Sequence, residues 1–142
     1  EPRLPGVAFE RVRWSAEREA EVLASLDVGL YPLDDTPWTR GKCGFKALQY
    51  LSCGVPCVAS PVGVLRDIVR PGVTGLHAGD PEGWAAALAR LLGDAAERRR
   101  MGEAGRALVE EGYSVERVAP LVAEAIETAV RGPRAPEAGG MP

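Results

Sequence analysis

The stretch from Lys42 to Gly63 constrains the fold of this chain most, because its character changes three times within 22 residues. It opens with a polar, glycine-containing approach over residues 42–44. Residues 45–53 then carry apolar side chains at helical spacing, which predicts a helix with one buried side. Gly54 follows at the position where glycine commonly ends a helix, and Pro56 cannot continue one.

The second half of this stretch predicts a buried strand and a turn. Residues 57–59, Cys-Val-Ala, form a short apolar run typical of a strand that is covered on both faces. Residues 60–63, Ser-Pro-Val-Gly, close that run as a sharp turn. Loop, helix, strand and turn in this order indicate a unit of an open parallel sheet, in which ligands bind at the carboxyl ends of the strands.

The rest of the chain repeats the alternation of strand and helix, so we predict an α/β fold with a Rossmann-like open parallel sheet of about four strands and flanking helices. Asp80 and Pro81 are typical of the first residues of a helix. The predicted domain covers residues 1–131, and residues 132–142 are rich enough in Pro and Gly to predict a disordered tail. The predicted strands cover 7–9, 27–33, 57–59 and 74–78, and the predicted helices cover 15–26, 45–53, 64–69, 81–92, 95–111 and 115–130.

Composition excludes several classes of function. The net charge of −3 argues against a nucleic-acid partner, because no basic face dominates. There is no apolar run long enough to cross a membrane. The three cysteines and the single histidine do not have the spacing of a zinc site or a disulfide framework, which indicates reduced cysteines in a cytoplasmic protein.

Residues 49–60, Q-Y-L-S-C-G-V-P-C-V-A-S, resemble the E-A-M-A-x-G-x-P-V-V-A-S motif of GT-B glycosyltransferases, specifically the C-terminal, donor-binding domain of retaining family 4 enzymes. The similarity continues through D-I-V at 67–69 and G-V-T-G-L at 72–76. Over roughly residues 7–128, it implies a domain that binds a nucleotide-diphospho-sugar for transfer of the glycosyl group to an acceptor.

The start of the helix at residue 45 is the predicted binding site for a diphosphate. A helix that begins near Gly44 offers free N–H groups and the positive end of its dipole, and Gly44 lets the backbone approach a ligand closely. Lys42 and Lys46 add positive charge beside it.

The resemblance adds roles for other residues. It implies that Gln49, in place of the family's second Glu, contacts the ribose, and that Gly41 stands where the family's first Glu contacts the donor sugar. It also implies that the turn after residue 59 faces the nucleotide. The predicted substrate-binding residues are Gly41, Lys42, Cys43, Gly44, Lys46, Gln49, Ser60, Pro61 and Val62. We predict no catalytic residue and no metal ligand in this chain, and no cofactor besides the donor substrate.

Several expectations concern what the chain lacks. It begins with Glu rather than Met, and the resemblance implies two further strands before residue 7, so we expect a fragment of a longer protein. The family's N-terminal acceptor domain and the Arg and Lys that neutralise the pyrophosphate are missing from it, so the fragment alone is expected to be inactive. In the parent protein we expect a cytoplasmic location, peripheral to the inner membrane, and a membrane-proximal acceptor. Without the first strands, the strand at 7–9 is expected to close against the strand at 27–33 or to pair across a homodimer through the open sheet edge.

Two alternatives remain open at this point. One is a non-catalytic interaction or structural remnant, which the loss of the Glu at Gly41 supports. Another is a sugar-nucleotide epimerase of similar fold, because Gly54-x-Pro56 occurs there too. A dinucleotide-binding domain is disfavoured, because no G-x-G-x-x-G follows a strand. We further predict that Phe45, Leu48 and Leu51 lie in the core and that the three arginines at 98–100 form a solvated face.

Overall fold

The structure is a computed structural model that describes residues 6–132. Helices and strands alternate through the first half of the chain, and the second half is helical. In chain order the elements are α1 (Glu19–Ala24), β1 (Gly29–Tyr31), α2 (Pro37–Arg40), α3 (Phe45–Ser52), β2 (Cys57–Ala59), α4 (Leu65–Ile68), β3 (Gly75–His77), α5 (Pro81–Gly93), α6 (Ala95–Gly112) and α7 (Val115–Arg131).

The three strands form one parallel sheet in the order β1-β2-β3. The register places Leu30, Val58 and Leu76 side by side. All of β2 is buried, as expected for the central strand of a sheet that is covered on both faces. The predicted fold class, an open parallel sheet with flanking helices, is therefore confirmed.

Two cores lie on the two faces of β2, because alternate side chains of a strand point to opposite faces. Cys57 and Ala59 pack with α3 and α4, and Val58 packs with α5 and the first half of α6. The first core contains Ala47, Leu51, Cys57, Ala59, Leu65, Ile68 and Val69, and the second contains Val58, Leu76, Ala78, Ala87, Leu91 and Met101.

Helix α3 packs closely on helix α6 because two glycines of α6 face it. A Cβ atom at Gly102 would overlap the carbonyl oxygen of Gly54, and a Cβ at Gly105 would lie 2.6 Å from Cδ2 of Leu51. Gly54 has a φ of +72°, in agreement with the predicted glycine at the end of α3.

The predicted sheet has one strand too many. Residues 7–9 form no strand, and Val7 and Phe9 are 54% and 55% exposed. A strand is stable only with a hydrogen-bonded neighbour and a buried face, and within residues 6–132 this segment has no β partner. It therefore does not close against β1, and the predicted homodimer through the open edge stays a prediction.

Other predictions needed correction in detail. The helix predicted over 15–26 is limited to Glu19–Ala24, since residues 16–18 form turns. Residues 34–41, which belong to no predicted helix or strand, contain the short helix α2. Leu51 is buried and Leu48 half-buried as predicted, but Phe45 is 61% exposed, because the first turn of α3 projects beyond the edge of the core.

The arginines at 98–100 are not all solvated. Arg98 is 19% exposed, and its guanidinium donates to the carbonyl oxygens of Leu91 and Leu92 and pairs with Asp27 at 3.0 Å. It thus joins the end of α5 to the segment that leads into β1. The tail predicted from residue 132 falls almost wholly on 133–142, outside the described residues.

Candidate functional site

The amino end of α3 lies at the edge of the sheet where β1 and β2 end. Gly44 precedes the helix with a φ of +71°, in the left-handed region, and is buried. A Cβ there would lie 2.6 Å from Cδ1 of Ile68 in α4. Glycine is therefore required at this position both by the backbone conformation and by the packing against α4. The amides of Phe45 and Lys46 have no hydrogen-bond acceptor among residues 6–132, as is usual in the first turn of a helix.

Between β1 and α3 lies a segment that we call the α2 loop, residues 33–42. It is held by its own hydrogen bonds: Thr36 and Thr39 cap α2 reciprocally, and the Thr39 hydroxyl donates to the carbonyl oxygen of Asp34 at 2.5 Å. Arg40 donates two bonds to the carboxylate of Asp35, at 2.6 and 3.2 Å. With these bonds the α2 loop forms one compact unit.

Two points attach the α2 loop to the turn after β2. At its start, the amide of Leu33 donates to Oγ of Ser60 at 2.9 Å, and the amide of Ser60 donates to the carbonyl oxygen of Tyr31 at 3.2 Å. Near its end, Gly63 has a φ of +53° and packs so closely on Arg40 that a Cβ would lie 2.6 Å from the Arg40 carbonyl oxygen. The turn and the loop that leads into α3 therefore lie against each other.

The structure brings the predicted charged residues to the start of α3. Gly41, Lys42 and Cys43 are exposed, and Lys46 is half-buried in the first turn of the helix. None of the ion pairs among residues 6–132 involves Lys42 or Lys46. Lys46 lines a cavity of about 150 Å³ together with residues 12–15 and α1. Positive charge, free amides and the helix dipole thus coincide at this end of α3, an arrangement that suits an anion.

Gln49 lies one turn further along α3, on the side of Lys46. Its Oε1 atom is buried and has no hydrogen-bond partner within residues 6–132. A carbonyl oxygen that is removed from water without a donor lowers stability by about 1–3 kcal/mol, so such atoms are rare in folded proteins. This oxygen accepts hydrogen bonds only, and a ligand that satisfies it must bring an N–H or O–H group.

The three predicted residues of the turn after β2 are less available to a ligand. Ser60 is 6% exposed and its oxygen already accepts the Leu33 amide. Val62 is buried and Pro61 is half-buried. The turn lies next to the α2 loop, but the side chains of the turn mainly pack in the interior and offer little surface to a ligand.

The pairing of Asp35 with Arg40 was not predicted from the sequence. The hydrogen bonds from Arg40 hold the pKa of the Asp35 carboxyl below its ordinary value, and the positive charge of Arg66 adds to this effect. Since the pair is exposed, its main effect is to hold the loop in shape rather than to stabilise the fold. The five-residue spacing and the opposite charges were the only signal in the sequence.

Another cavity, of about 620 Å³, lies between the segment that leads into β3 and the second half of α6. Arg70, Val73 and Tyr113 are among the residues that line it. None of the predicted site residues lines it. Residues 6–132 contain no group of three or more His, Cys, Asp or Glu that could hold a metal ion. In the same range, no helix is both long enough and apolar enough to span a lipid bilayer.

Comparison with known proteins identifies the family of the chain. Residues 4–94 match the glycosyl transferases group 1. The chain belongs to this family. Its relatives include N-acetyl-alpha-D-glucosaminyl L-malate synthase of Bacillus anthracis, 33% identical over 101 residues, which cover 70% of this chain and 25% of the relative. D-inositol 3-phosphate glycosyltransferase of Paenarthrobacter aurescens is 30% identical over 132 residues, 92% of this chain and 29% of the relative. This group 1 glycosyltransferase chain thus spans about a quarter of the length of these relatives.

Solved structures agree with this assignment. Sucrose-phosphate synthase of Thermosynechococcus elongatus superposes with a TM-score of 0.71 at 28% identity, over 79% of this chain and 27% of that protein. HepE of Anabaena, in complex with UDP and glucose, superposes with a TM-score of 0.67 at 19% identity, over 75% of this chain and 29% of that protein. The fold of the group 1 glycosyltransferase chain is therefore that of a part of a GT-B enzyme.

Proposed function

We propose that the chain is the donor-binding part of a retaining, family 4 glycosyltransferase and that it binds a nucleotide-diphospho-sugar at the amino end of α3. The diphosphate is bound by the free amides of Phe45 and Lys46 and by the side chains of Lys42 and Lys46, since a helix start and two lysines attract a doubly charged group. The HepE structures with UDP and UDP-glucose support a nucleotide sugar as the ligand of this fold.

The observation that carries the proposal is the unpartnered Oε1 of Gln49. The two neighbouring hydroxyl groups of a ribose are hydrogen-bond donors, and this oxygen lacks a donor. Gln49 lies about one helical turn after the amides of the first turn of α3. A ligand whose ribose binds beside Gln49 therefore has its diphosphate near the start of the helix. The Gln49 side chain is half-buried, and it must turn its Oε1 atom outward for the ribose to reach it. One ligand then satisfies both this oxygen and the free amides.

Ligand-observed NMR with UDP, GDP and their glucose and mannose forms tests this proposal. We expect saturation transfer from the protein to at least one of these ligands and a loss of affinity of about 5- to 10-fold in Gln49→Ala, as for one buried hydrogen bond. Gln49→Glu keeps an acceptor and should bind at least as well, because a carboxylate forms the stronger bond with a hydroxyl. Ser52→Ala is the matched control: it removes a hydroxyl from the far end of the same helix, where this group donates to the Gln49 carbonyl oxygen and contacts Sγ of Cys53. Equal binding by all four proteins, or none by folded wild type, would contradict the proposal.

A second candidate function, a non-catalytic interaction module, is favoured by Gly41. Its φ of −82° is open to any residue, and a Cβ there would meet only the Trp38 carbonyl oxygen, at an ordinary 3.6 Å. The backbone therefore does not require glycine, and the position lacks a carboxylate for another reason. We expect Gly41→Glu to fold normally. If this variant gains affinity for UDP-glucose over UDP while wild type shows no preference, the site has lost its recognition of the sugar and the second candidate gains support.

The remaining parts of the proposal concern the whole protein. We infer that transfer needs an N-terminal acceptor domain, that the chain alone is inactive, and that the reaction uses no divalent metal. The acceptor is membrane-proximal and the parent protein lies in the cytoplasm at the inner membrane. Activity assays of the chain alone and joined to an acceptor domain, with and without a chelator, test these inferences.

A further inference from the structure

Ser60 has a position that the proposed donor site does not explain. It is almost fully buried, so it offers little surface to a ligand, yet its oxygen accepts the amide hydrogen bond of Leu33 at 2.9 Å. Leu33 is the residue with which the chain leaves β1 and enters the α2 loop. The Ser60 amide also donates to the carbonyl oxygen of Tyr31, at the end of β1. One residue thus continues the β1–β2 pairing beyond the strands, by one backbone bond and one side-chain bond.

The α2 loop transmits this contact towards α3 because it is internally bonded. The cap of α2 and the Asp35–Arg40 pair join its residues into one unit, and the amide of Lys42 donates to the carbonyl oxygen of Thr39 at 3.2 Å. At its far end the unit rests on Gly63. Two residues after the end of the α2 loop, the chain reaches Gly44 and the first turn of α3. A shift at Leu33 therefore moves a connected body whose other end carries Lys42.

We propose that Ser60 is a positioning residue of the donor site, which fixes the α2 loop, and with it Lys42 and the start of α3, in the geometry that receives the diphosphate. It does so through the Leu33 amide and not by touching the ligand. This inference rests on the proposed function for the identity of the ligand.

Thr74 provides a matched control, because it is a buried hydroxyl with the same kind of role elsewhere. Its oxygen accepts the Arg70 amide at 2.8 Å and its hydroxyl donates to the Ile68 carbonyl oxygen at 3.0 Å, before the start of β3. We expect Ser60→Ala and Thr74→Ala both to lower Tm by a few degrees, since each leaves a part-buried amide without its acceptor. Only Ser60→Ala should weaken UDP-glucose binding, by about 5- to 10-fold, as expected for one hydrogen bond. Ser60→Thr, which keeps the hydroxyl, should recover most of that affinity.

Amide hydrogen exchange of the free proteins provides a readout that does not depend on the ligand. Exchange in residues 34–46 should be faster in Ser60→Ala than in wild type and unchanged in Thr74→Ala. If wild type binds none of UDP, GDP and their glucose and mannose forms, the proposed function fails, and the exchange of residues 34–46 still decides whether Ser60 positions the loop. If wild type binds and Ser60→Ala binds equally well, or loses no more affinity than Thr74→Ala, the positioning role is wrong.

Discussion

Substitution of Gly44 by alanine tests whether the start of α3 is set by its packing on α4. Two costs add at this position. The left-handed backbone conformation costs an alanine about 1 kcal/mol after the gain from a less flexible unfolded chain is subtracted. The new Cβ would also lie 2.6 Å from Cδ1 of Ile68, a fully buried side chain, and overpacking of this kind costs about 1–3 kcal/mol. We therefore expect Gly44→Ala to lower the free energy of unfolding by about 2–4 kcal/mol.

The other end of the same helix separates the two costs. Gly54 has nearly the same φ, +72° against +71°, but a Cβ there would meet nothing within 4 Å. Gly54→Ala should therefore cost only about 1 kcal/mol, the backbone part alone. Urea unfolding followed by circular dichroism measures both variants under the same conditions.

A double-mutant cycle with Ile68→Val identifies the clashing atom, because valine lacks Cδ1. Ile68→Val alone should cost about 1 kcal/mol, and in the Gly44→Ala background it should cost less or restore stability. Equal costs for Gly44→Ala and Gly54→Ala, or additivity of Ile68→Val with Gly44→Ala, would rule out a clash between the new Cβ and Ile68.

Two further predictions concern the core. Gly102→Ala should destabilise the protein by about 2 kcal/mol or more, because its Cβ would overlap the Gly54 carbonyl oxygen. Gly112→Ala lies in the same helix, where a Cβ would have no neighbour within 4 Å, so it should be neutral or stabilising. Urea unfolding of the two variants measures the difference. Burial raises the pKa of the Cys57 thiol to about 12, so the folded state binds this proton more tightly than the unfolded state does. The protonated thiol therefore makes its full contribution to the free energy of unfolding below about pH 9. Above that pH the free energy of unfolding should fall by up to about 1.4 kcal/mol per pH unit from this group, and Cys57→Ala should flatten the fall while Cys43→Ala, at an exposed thiol, leaves it unchanged.

Local signals in the sequence predicted much of the fold because they act within a few residues. Asp80 caps α5 through its bond to the Gly83 amide at 2.7 Å, as the Asp-Pro pair predicts. Gly54 ends α3, and the apolar run at 57–59 is the buried central strand. Each of these features depends on backbone conformation or short-range hydrogen bonds, which neighbouring residues determine.

The errors concern residues whose environment is set by distant parts of the chain. The segment at 7–9 has the composition of a strand, but a strand also needs a neighbour, and none lies beside it in the described range. Phe45 has the spacing of a core residue, yet no residue in the described range covers the first turn of α3 on that side. Arg98 looks like a surface residue until α5 and Asp27 are brought next to it.

The candidate site shows the same division. The helix start at Gly44 was predictable from one short motif, and so was the presence of Lys42 and Lys46 beside it. The roles of Ser60 and Gly63 were not, because their contacts with Leu33 and Arg40 join positions that lie more than 20 residues apart in the chain. Neighbouring residues give no signal for such contacts.

The close packing of α3 at both of its ends has a consequence for how a ligand is received. At one end of the helix Gly44 packs against α4, and at the other end Gly102 of α6 packs against Gly54. Neither contact leaves room for a methyl group. A helix held in this way cannot slide or tilt as a whole. In the proposed donor site, affinity for related ligands then depends on how well each one fits a fixed row of amides.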